Sequence, residues 1–245
     1  MALEEVDRYY GFFNPLLNKM GYDSIFVPKK NSPGVRMGWY SDGCVLAWKS
    51  TSLILVHERC GDYTVGNQVY LIATLQHRLT KKYVVFAITH LKAQQNEVNE
   101  VLRSRQVDEL LASIDDEVMR LTNTFPDEKI QIVVMGDFNA DPPSSANCNC
   151  SAVQKLLAHK TPTIDDAYSS TYAIDESLDS MFTTWKIRGS KVSKRIIDYI
   201  CYAGSSIRCI ATYKIISAND IEDSKLPGLR HPSDHLLIAA KFEFI

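Results

Sequence analysis

The chain has 245 residues, 45% hydrophobic and 23% charged, with a formal net charge of −2. That balance excludes a protein held to nucleic acid by bulk charge, while leaving a local basic groove open. No apolar run approaches the roughly 18 residues of a membrane span and no secretory leader opens the chain, so it reads as soluble and cytoplasmic.

GCVLAW (43–48) and TSLILVHE (51–58) read as short strands. In NQVYLIATLQHRL (67–79), Val69, Leu71, Ala73 and Leu75 alternate with more polar neighbours, a period-2 pattern. KYVVFAITH (82–90) is almost continuously apolar, as a strand buried on both faces would be, and Lys81-Lys82 marks a hairpin between the two. From 95 to 123 the period lengthens: Val98, Val101, Val107, Leu110, Leu111, Ile114, Val118 and Leu121 recur at three- and four-residue steps, which predicts an amphipathic helix. IQIVVMG (130–136) is again a strand. Strand, helix, strand is a crossover unit that runs its strands parallel. Thr89-His90 and Asp137-Phe138-Asn139 then share one sheet edge, where α/β folds place their ligands.

Residues 142–181 are rich in Ser, Asn and Asp and read as a loop or insertion with one short helix, AVQKLLAH. RIIDYICYA (195–203), IRCIATYKII (207–216) and LLIAAKFEFI (236–245) read as closing strands. No internal repeat or linker is visible, so the expectation is one domain over 1–245. Cys148 and Cys150 are spaced too closely for a C-x-x-C pair, and Cys44 and Cys201 sit in apolar runs, which suggests a reducing compartment. Asn149-Cys150-Ser151 fits a glycosylation pattern and is read as chance without a leader.

Several residues invite chemistry. Asp137 and Asn139, at i and i+2 of a strand end, would face one cavity; the plain alternative is a turn. His90 ends an apolar strand and Lys92 follows two positions on, a combination suited to an anion or to a structural histidine. Asp198 interrupts the run IIDYI, where an unpaired charge would cost several kcal/mol. Either backbone N–H groups satisfy it, or His235 of SDH does and is oriented in return. Glu5 has no local feature that separates it from Glu4 or Asp7.

An early Glu, then THLKA (89–93), GDFNADP (136–142), a strand Asp in IDYICY (197–202) and LPGLRHPSDHL (226–236), in that order, resembles the exonuclease–endonuclease–phosphatase superfamily. LEEVDRYY (3–10), PLLNKMGY (15–22), PKKNSPG (28–34), DGCVL (42–46) and TTWKIR (183–188) place it in the deadenylase-like branch. The likeness covers essentially the whole chain. It implies a two-sheet α/β sandwich of the deoxyribonuclease I type and an Mg²⁺-dependent phosphoesterase. The branch suggests removal of the 2′-phosphate of NADP(H), with 3′-exonuclease action on poly(A) RNA as the alternative.

The resemblance would assign Mg²⁺ to Glu5, preparation of the attacking water to Asp137 and the phosphate to Asn139. His235, oriented by Asp198, and His90 would stabilise charge on the phosphoryl oxygens. Lys29, Lys92 and Arg188 would bind phosphates of the dinucleotide, while Trp39, Tyr40 and Trp185 offer stacking surfaces for adenine. It further implies a monomer away from membranes, with a mitochondrial address for a longer form. Three departures accompany it. Gln94 stands where an Arg is usual, 142–181 matches poorly, and the front lacks a strand bearing a metal-site Asn. The expectation is therefore an N-terminally incomplete domain, without its first strands and with unpaired sheet edges, and a further alternative is a binding form catalytically impaired because those strands are missing.

Overall fold

The computed structural model describes residues 1–143, 151–160, 162–169 and 181–245. The Asn149 glycosylation pattern, Cys148, Cys150 and much of the 142–181 loop lie outside the described residues. In chain order the elements are β1 (Ala2–Val6), α1 (Asn14–Lys19), β2 (Tyr22–Pro28), β3 (Gly43–Lys49), β4 (Leu53–Asp62), β5 (Val69–His77) and β6 (Tyr83–His90). They continue with α2 (Glu97–Thr124), β7 (Gln131–Asp137), α3 (Ser151–Leu157), β8 (Asp165–Asp166), β9 (Thr184–Arg188), β10 (Lys191–Arg195), β11 (Asp198–Ala203), β12 (Ile207–Thr212) and β13 (Ala240–Phe244).

A six-stranded sheet, ordered β4-β5-β6-β7-β11-β8, forms the central layer. β6 and β7 are parallel and joined through α2, as the crossover reading expects, and the other pairs are antiparallel. On one face Val107, Leu110, Ile114 and Leu121 of α2 pack with Ile72, Val85, Ile132 and Val134. On the other, Leu71, Ala73, Leu75 and Ile88 meet Val27, Cys44, Leu46 and Trp48 of a three-stranded sheet ordered β1-β3-β2. Further along that face, Val84, Val133 and Ile200 meet Ile207 and Phe242 of the β12-β13 pair. The second layer is thus two separate sheets.

Several elements differ from the sequence reading. β1, β2, β9 and β10 had no clear periodic signal, because their burial is mixed along their length. The strand expected over 207–216 stops at Thr212, and that over 236–245 begins only at Ala240. Val98 and Val101 are exposed rather than buried. The first turns of α2 instead bury Asn99, Glu100, Arg103 and Gln106. Arg103 pairs with Glu100 at 2.6 Å and donates to the carbonyls of Lys92 and Gln94, while Glu100 accepts from the Ala152 N–H. This buried polar network holds the loop after β6, which an apolar periodicity cannot reveal. Among the described residues Cys44, Cys60, Cys201 and Cys209 are unpaired thiols. None of their helices is long and apolar enough to cross a membrane.

Gly136 has no room for a side chain. It has φ 146°, and a Cβ there would lie 1.8 Å from the carbonyl oxygen of Thr89. Only a glycine lets β7 press against β6 one residue before Asp137. Gly136→Ala is expected to cost about 2–4 kcal/mol, read as a lower urea midpoint with an unchanged slope. An unchanged midpoint would mean that the strands have room to spare.

Candidate active site

Strand register assembles the site before any loop contributes. His90 lies opposite Asp137 across the parallel β6-β7 pair, and Asp198 lies opposite Asp137 across the antiparallel β7-β11 pair. Three chemically active residues from distant sequence positions therefore stand abreast on three adjacent strands. His235 arrives from the other side. Its backbone pairs with Thr184 at the start of β9, the Leu236 N–H donates to the Thr183 carbonyl, and the Thr184 hydroxyl donates to the Asp234 carbonyl.

His235 Nδ1 lies 2.9 and 3.0 Å from the two Asp198 carboxylate oxygens, and its Nε2 lies 3.9 Å from Asp137 Oδ2. Burial works against a charge on His235, but the Asp198 hydrogen bond and the charges of Asp198 and Asp137 prevail and raise its pKa to about 9. The imidazole is therefore protonated near neutral pH. His90 is the opposite case: burial, helped by the positive charges of Lys29 and His235, lowers it to about 3 and keeps it neutral. Its Nε2 is 3.5 Å from Asp137 Oδ2, and its buried Nδ1 has no hydrogen-bond partner among the described residues.

Asp137 is 6% exposed; burial first and then Asp198 push its pKa up to about 7. Its neighbour in the motif does not reach it by strand alternation. β7 ends at Asp137, and Asn139 takes a left-handed conformation with φ 51°. The Asn139 N–H donates to Asp137 Oδ1 at 2.8 Å, a local turn in which the Asp side chain replaces a carbonyl. The Asn139 carboxamide nitrogen donates to the Leu91 carbonyl and to Asp137 Oδ2, both at 3.1 Å. The turn and the functional readings thus hold together: the turn fixes the carboxylate. In this geometry the Asn139 N–H donors serve Asp137 and Leu91 rather than standing free for a phosphate.

The early acid that enters the site is Glu4, not the expected Glu5. A register shift between Leu3 and Val6 breaks the β1-β3 pairing, and Glu5, with φ 55°, is left exposed. Glu4 instead lies beside the other carboxylates: burial, then Asp198 and Asp137, push it up to about 8. The bulge is the physical reason. An extra residue in one strand changes which of two neighbours faces the sheet interior, and nothing in Glu4-Glu5 announces it.

The cation positions also divide. Lys29 pairs with Asp42 at 2.5 Å while its charge still acts on His90. Lys92 is half-buried, its backbone held by Gln106 and Arg103, and its ammonium makes no ion pair among the described residues. Arg188 is 77% exposed, at the margin of the site, 3.6 Å from Asp234. Sequence reasoning missed Lys186, two residues earlier. Its ammonium bonds Asp234 at 2.6 Å and lies 3.3 Å from His235 Nε2. Its signal was the TTWKIR stretch, where strand alternation turns Lys186 and Arg188 to one side of β9. Arg195, which pairs with Asp141 at 2.8 Å and donates to the Asn139 carbonyl, was also unsuspected and braces the turn.

Asp137, Asp198 and His235 bring possible ligand atoms within 4.8 Å of one another. His235, however, is protonated and bonded through Nδ1, so it has no lone pair to give a metal. The carboxylates do. Glu4 and Asp137 are raised mainly by burial and by like charge, the arrangement a divalent cation relieves. Their hard oxygen donors fit Mg²⁺ better than a softer metal.

No family model matches the chain. It is 32% identical to human nocturnin over 250 residues, covering 100% of this chain and 54% of that protein. The structure of the human nocturnin catalytic domain with a bound sulfate anion superposes with a TM-score of 0.76 at 30% identity, covering 100% of this chain and 80% of that domain. The chain belongs to the endonuclease/exonuclease/phosphatase family and is nocturnin-like. Its length is about half that of the nocturnins it matches. ANGEL2, a 2′,3′-cyclic phosphatase solved in complex with adenosine-2′,3′-vanadate, has the same fold at 19% identity and a TM-score of 0.75, covering 98% of this chain and 80% of that one. The Ccr4 3′-5′-exoribonuclease subunit of Yarrowia lipolytica is 21% identical over 301 residues, covering 100% of this chain and 41% of that protein. The α/β layers described above are the architecture of this family.

Proposed function

We propose that the protein is a Mg²⁺-dependent phosphatase that removes the 2′-phosphate of NADP(H). The observation that carries a phosphate ester is the junction of two charge types. His235 Nε2 and the Lys186 ammonium, both cationic N–H donors, lie 3.3 Å apart beside the buried carboxyl of Asp137. Asp234 and Asp198 already balance these two charges, so the pair can stay together and turn further N–H bonds toward a phosphoryl oxygen. Adenosine-2′,3′-vanadate on ANGEL2 supports a ribose-borne group within this fold. Lys29, Lys92 and Arg188 supply further charge for a second phosphate group.

Asp137 orients the attacking water and takes its proton as the new P–O bond forms and the ester P–O bond breaks; the departing 2′-oxygen takes a proton from solvent water and leaves as the hydroxyl. A pKa near 7 suits that exchange at neutral pH. Asn139 holds the carboxylate in place through its two N–H groups. His235, locked by Asp198, presents its charged Nε2–H to the phosphoryl oxygens, and Lys186 adds a second donor. His90, neutral and buried, lines the other side of Asp137. Mg²⁺, held by Glu4 and the neighbouring carboxylates, would neutralise charge gathering on those oxygens. Glu4→Gln is expected to raise the Mg²⁺ needed for half-maximal rate by at least about tenfold, whereas Glu5→Gln stays within about twofold. The reverse order in a metal titration would return the role to Glu5.

A second reading, 3′-exonuclease action on RNA, rests on an aromatic cleft of about 550 Å³ that includes Tyr10, Phe12, Trp39 and Tyr40. All four are exposed, and the Arg8 guanidinium lies 5.9 Å from the Trp39 ring centroid. Such rings stack on bases whatever their sequence. The test is phosphate release from NADPH against shortening of oligo(A), each with Mg²⁺ and with EDTA. Mg²⁺-dependent release without shortening is the expected result. Shortening without release would transfer the site to RNA.

A further inference from the structure

Strand register fixes where Asp137 stands, but not where its carboxylate points. That direction is set by the turn that follows, in which Asn139 is left-handed at φ 51° and donates its N–H to Asp137 Oδ1. A residue other than glycine keeps such a conformation only where its surroundings hold it. The holding groups come from β10 and β11, 54 to 59 residues further along the chain. Arg195 Nε donates to Asp141 Oδ1 at 2.8 Å, and Arg195 Nη2 donates to the Asn139 carbonyl at 3.3 Å. Between them the Tyr199 hydroxyl donates to the Ala140 carbonyl at 2.9 Å. The second Asp141 oxygen accepts from Gln95 Nε2 at 2.9 Å, in the loop that carries Lys92. Asn139, Ala140 and Asp141 are each tied from outside the turn. The Arg195 and Asp141 side chains are only 15% and 12% exposed, so water and salt screen this pair far less than a surface one.

The hairpin that supplies Arg195 also places the cationic donors. The Arg195 carbonyl accepts from the Thr183 N–H, and the buried Thr183 hydroxyl accepts from the N–H groups of Ile197 and Asp198. The Thr183 carbonyl accepts from Leu236, the residue after His235. β9, paired with β10 throughout, carries Lys186 beside His235. One hairpin therefore presents His235 and Lys186 on one side and reaches back through Arg195 to the turn beneath Asp137. The guanidinium touches neither Asp137 nor the phosphate position; it acts through Asn139.

We propose that Arg195 and Asp141 are positioning residues, a guanidinium–carboxylate clamp that holds the Asp137 carboxylate at a fixed distance from the His235 and Lys186 N–H groups. The role rests on the proposed hydrolysis, in which Asp137 takes the proton of the attacking water. The fork makes arginine necessary. A lysine at this position keeps a charge for Asp141, but its compact ammonium cannot span to the Asn139 carbonyl as well. A displacement of about 1 Å at a reacting group can cost a hundredfold in rate. Losing the fork is therefore felt in turnover more than in folding.

The test follows phosphate release from NADPH with Mg²⁺, melting temperature and hydrogen exchange at Asn139, all on the 245-residue chain. Arg195→Met is expected to lower kcat by about 30–100-fold with KM within about twofold. It should also speed exchange of the Asn139 N–H at least about tenfold, while Val133 and Val134 of β7 keep their protection. Arg195→Lys should stay within about 2 °C of the wild-type melting temperature and still lose about tenfold in kcat. Adding Asp141→Asn to Arg195→Met should lower kcat by no more than about a further twofold, since one clamp is broken only once. Where Arg195→Met fails to fold, Arg195→Lys and Asp141→Asn alone carry the same comparison. A raised KM with unchanged kcat would overturn the proposal and give Arg195 to substrate binding. A lowered melting temperature with unchanged kcat would overturn it in favour of stability alone. A wild-type chain that releases no phosphate would remove the phosphatase reading, whereas unchanged exchange at Asn139 would remove the clamp.

Discussion

Asp137→Asn is expected to lower phosphate release by about 10³–10⁴-fold while making the metal-free protein more stable at pH 8. The two effects share a cause. The native carboxyl is buried beside Asp198 with a pKa near 7, so keeping it ionised at pH 8 costs folding free energy. The carboxamide keeps the shape and carries no charge, but it cannot take a proton from water. A residue with a structural task alone would lose stability on substitution and leave the rate of the folded fraction unchanged. Rate and melting temperature, measured on one preparation, therefore separate the two roles. Wild-type turnover by the variant would remove Asp137 from the mechanism.

In EDTA the protein is expected to lose stability on balance from about pH 5 to about pH 9, most steeply above pH 6.5, where the opposing gain from His90, lowered from 6.5 to about 3, is complete; Mg²⁺ should flatten that slope. Glu4 is raised from 4.5 to about 8 and Asp137 from 3.8 to about 7. A carboxyl held above its unfolded value contributes stability that is full below the unfolded pKa and lost as pH climbs through the folded one. His235, raised from 6.5 to about 9, slopes the same way, its share being lost as pH climbs through 9. A tenfold difference in proton affinity between folded and unfolded chain is worth about 1.4 kcal/mol, so the summed loss is on the order of several kcal/mol. A cation bound among the carboxylates favours their ionised forms and offsets the loss, most strongly at high pH. Melting curves across pH, with and without Mg²⁺, measure both parts. A flat EDTA profile would mean that the carboxylates are not crowded, and an Mg²⁺ effect equal at pH 5 and pH 8 would place the ion elsewhere.

The legible part of the site lies where local pattern and function coincide. His90, Asp137 and Asp198 each end or interrupt an apolar strand, and a charge in such a run is visible without a structure. The parallel crossover follows from the change of period at residue 95 and fixes which sheet edge carries them. Lys186 and Arg195 escaped because each sits in a short, half-exposed strand with no periodic signal. The buried polar face of α2 escaped for the complementary reason. Asn99, Glu100, Arg103 and Gln106 look like a solvated surface until their partners across the chain are known.

By itself the sequence determined the α/β class and the placing of His90 and Asp137 at one edge of a parallel strand pair, because hydrophobic period and interrupting charge are local properties of the chain. Only the tertiary structure decided which of Glu4 and Glu5 enters the site, since a single bulge in β1 reverses the faces. It also decided that Asn139 serves Asp137, because its contacts come from a turn and from the Leu91 carbonyl 48 residues away. Where the second layer divides into two sheets was likewise decided by the tertiary structure. Whether a strand has a neighbour is a property of two chain segments in space, and no periodicity within one of them records it.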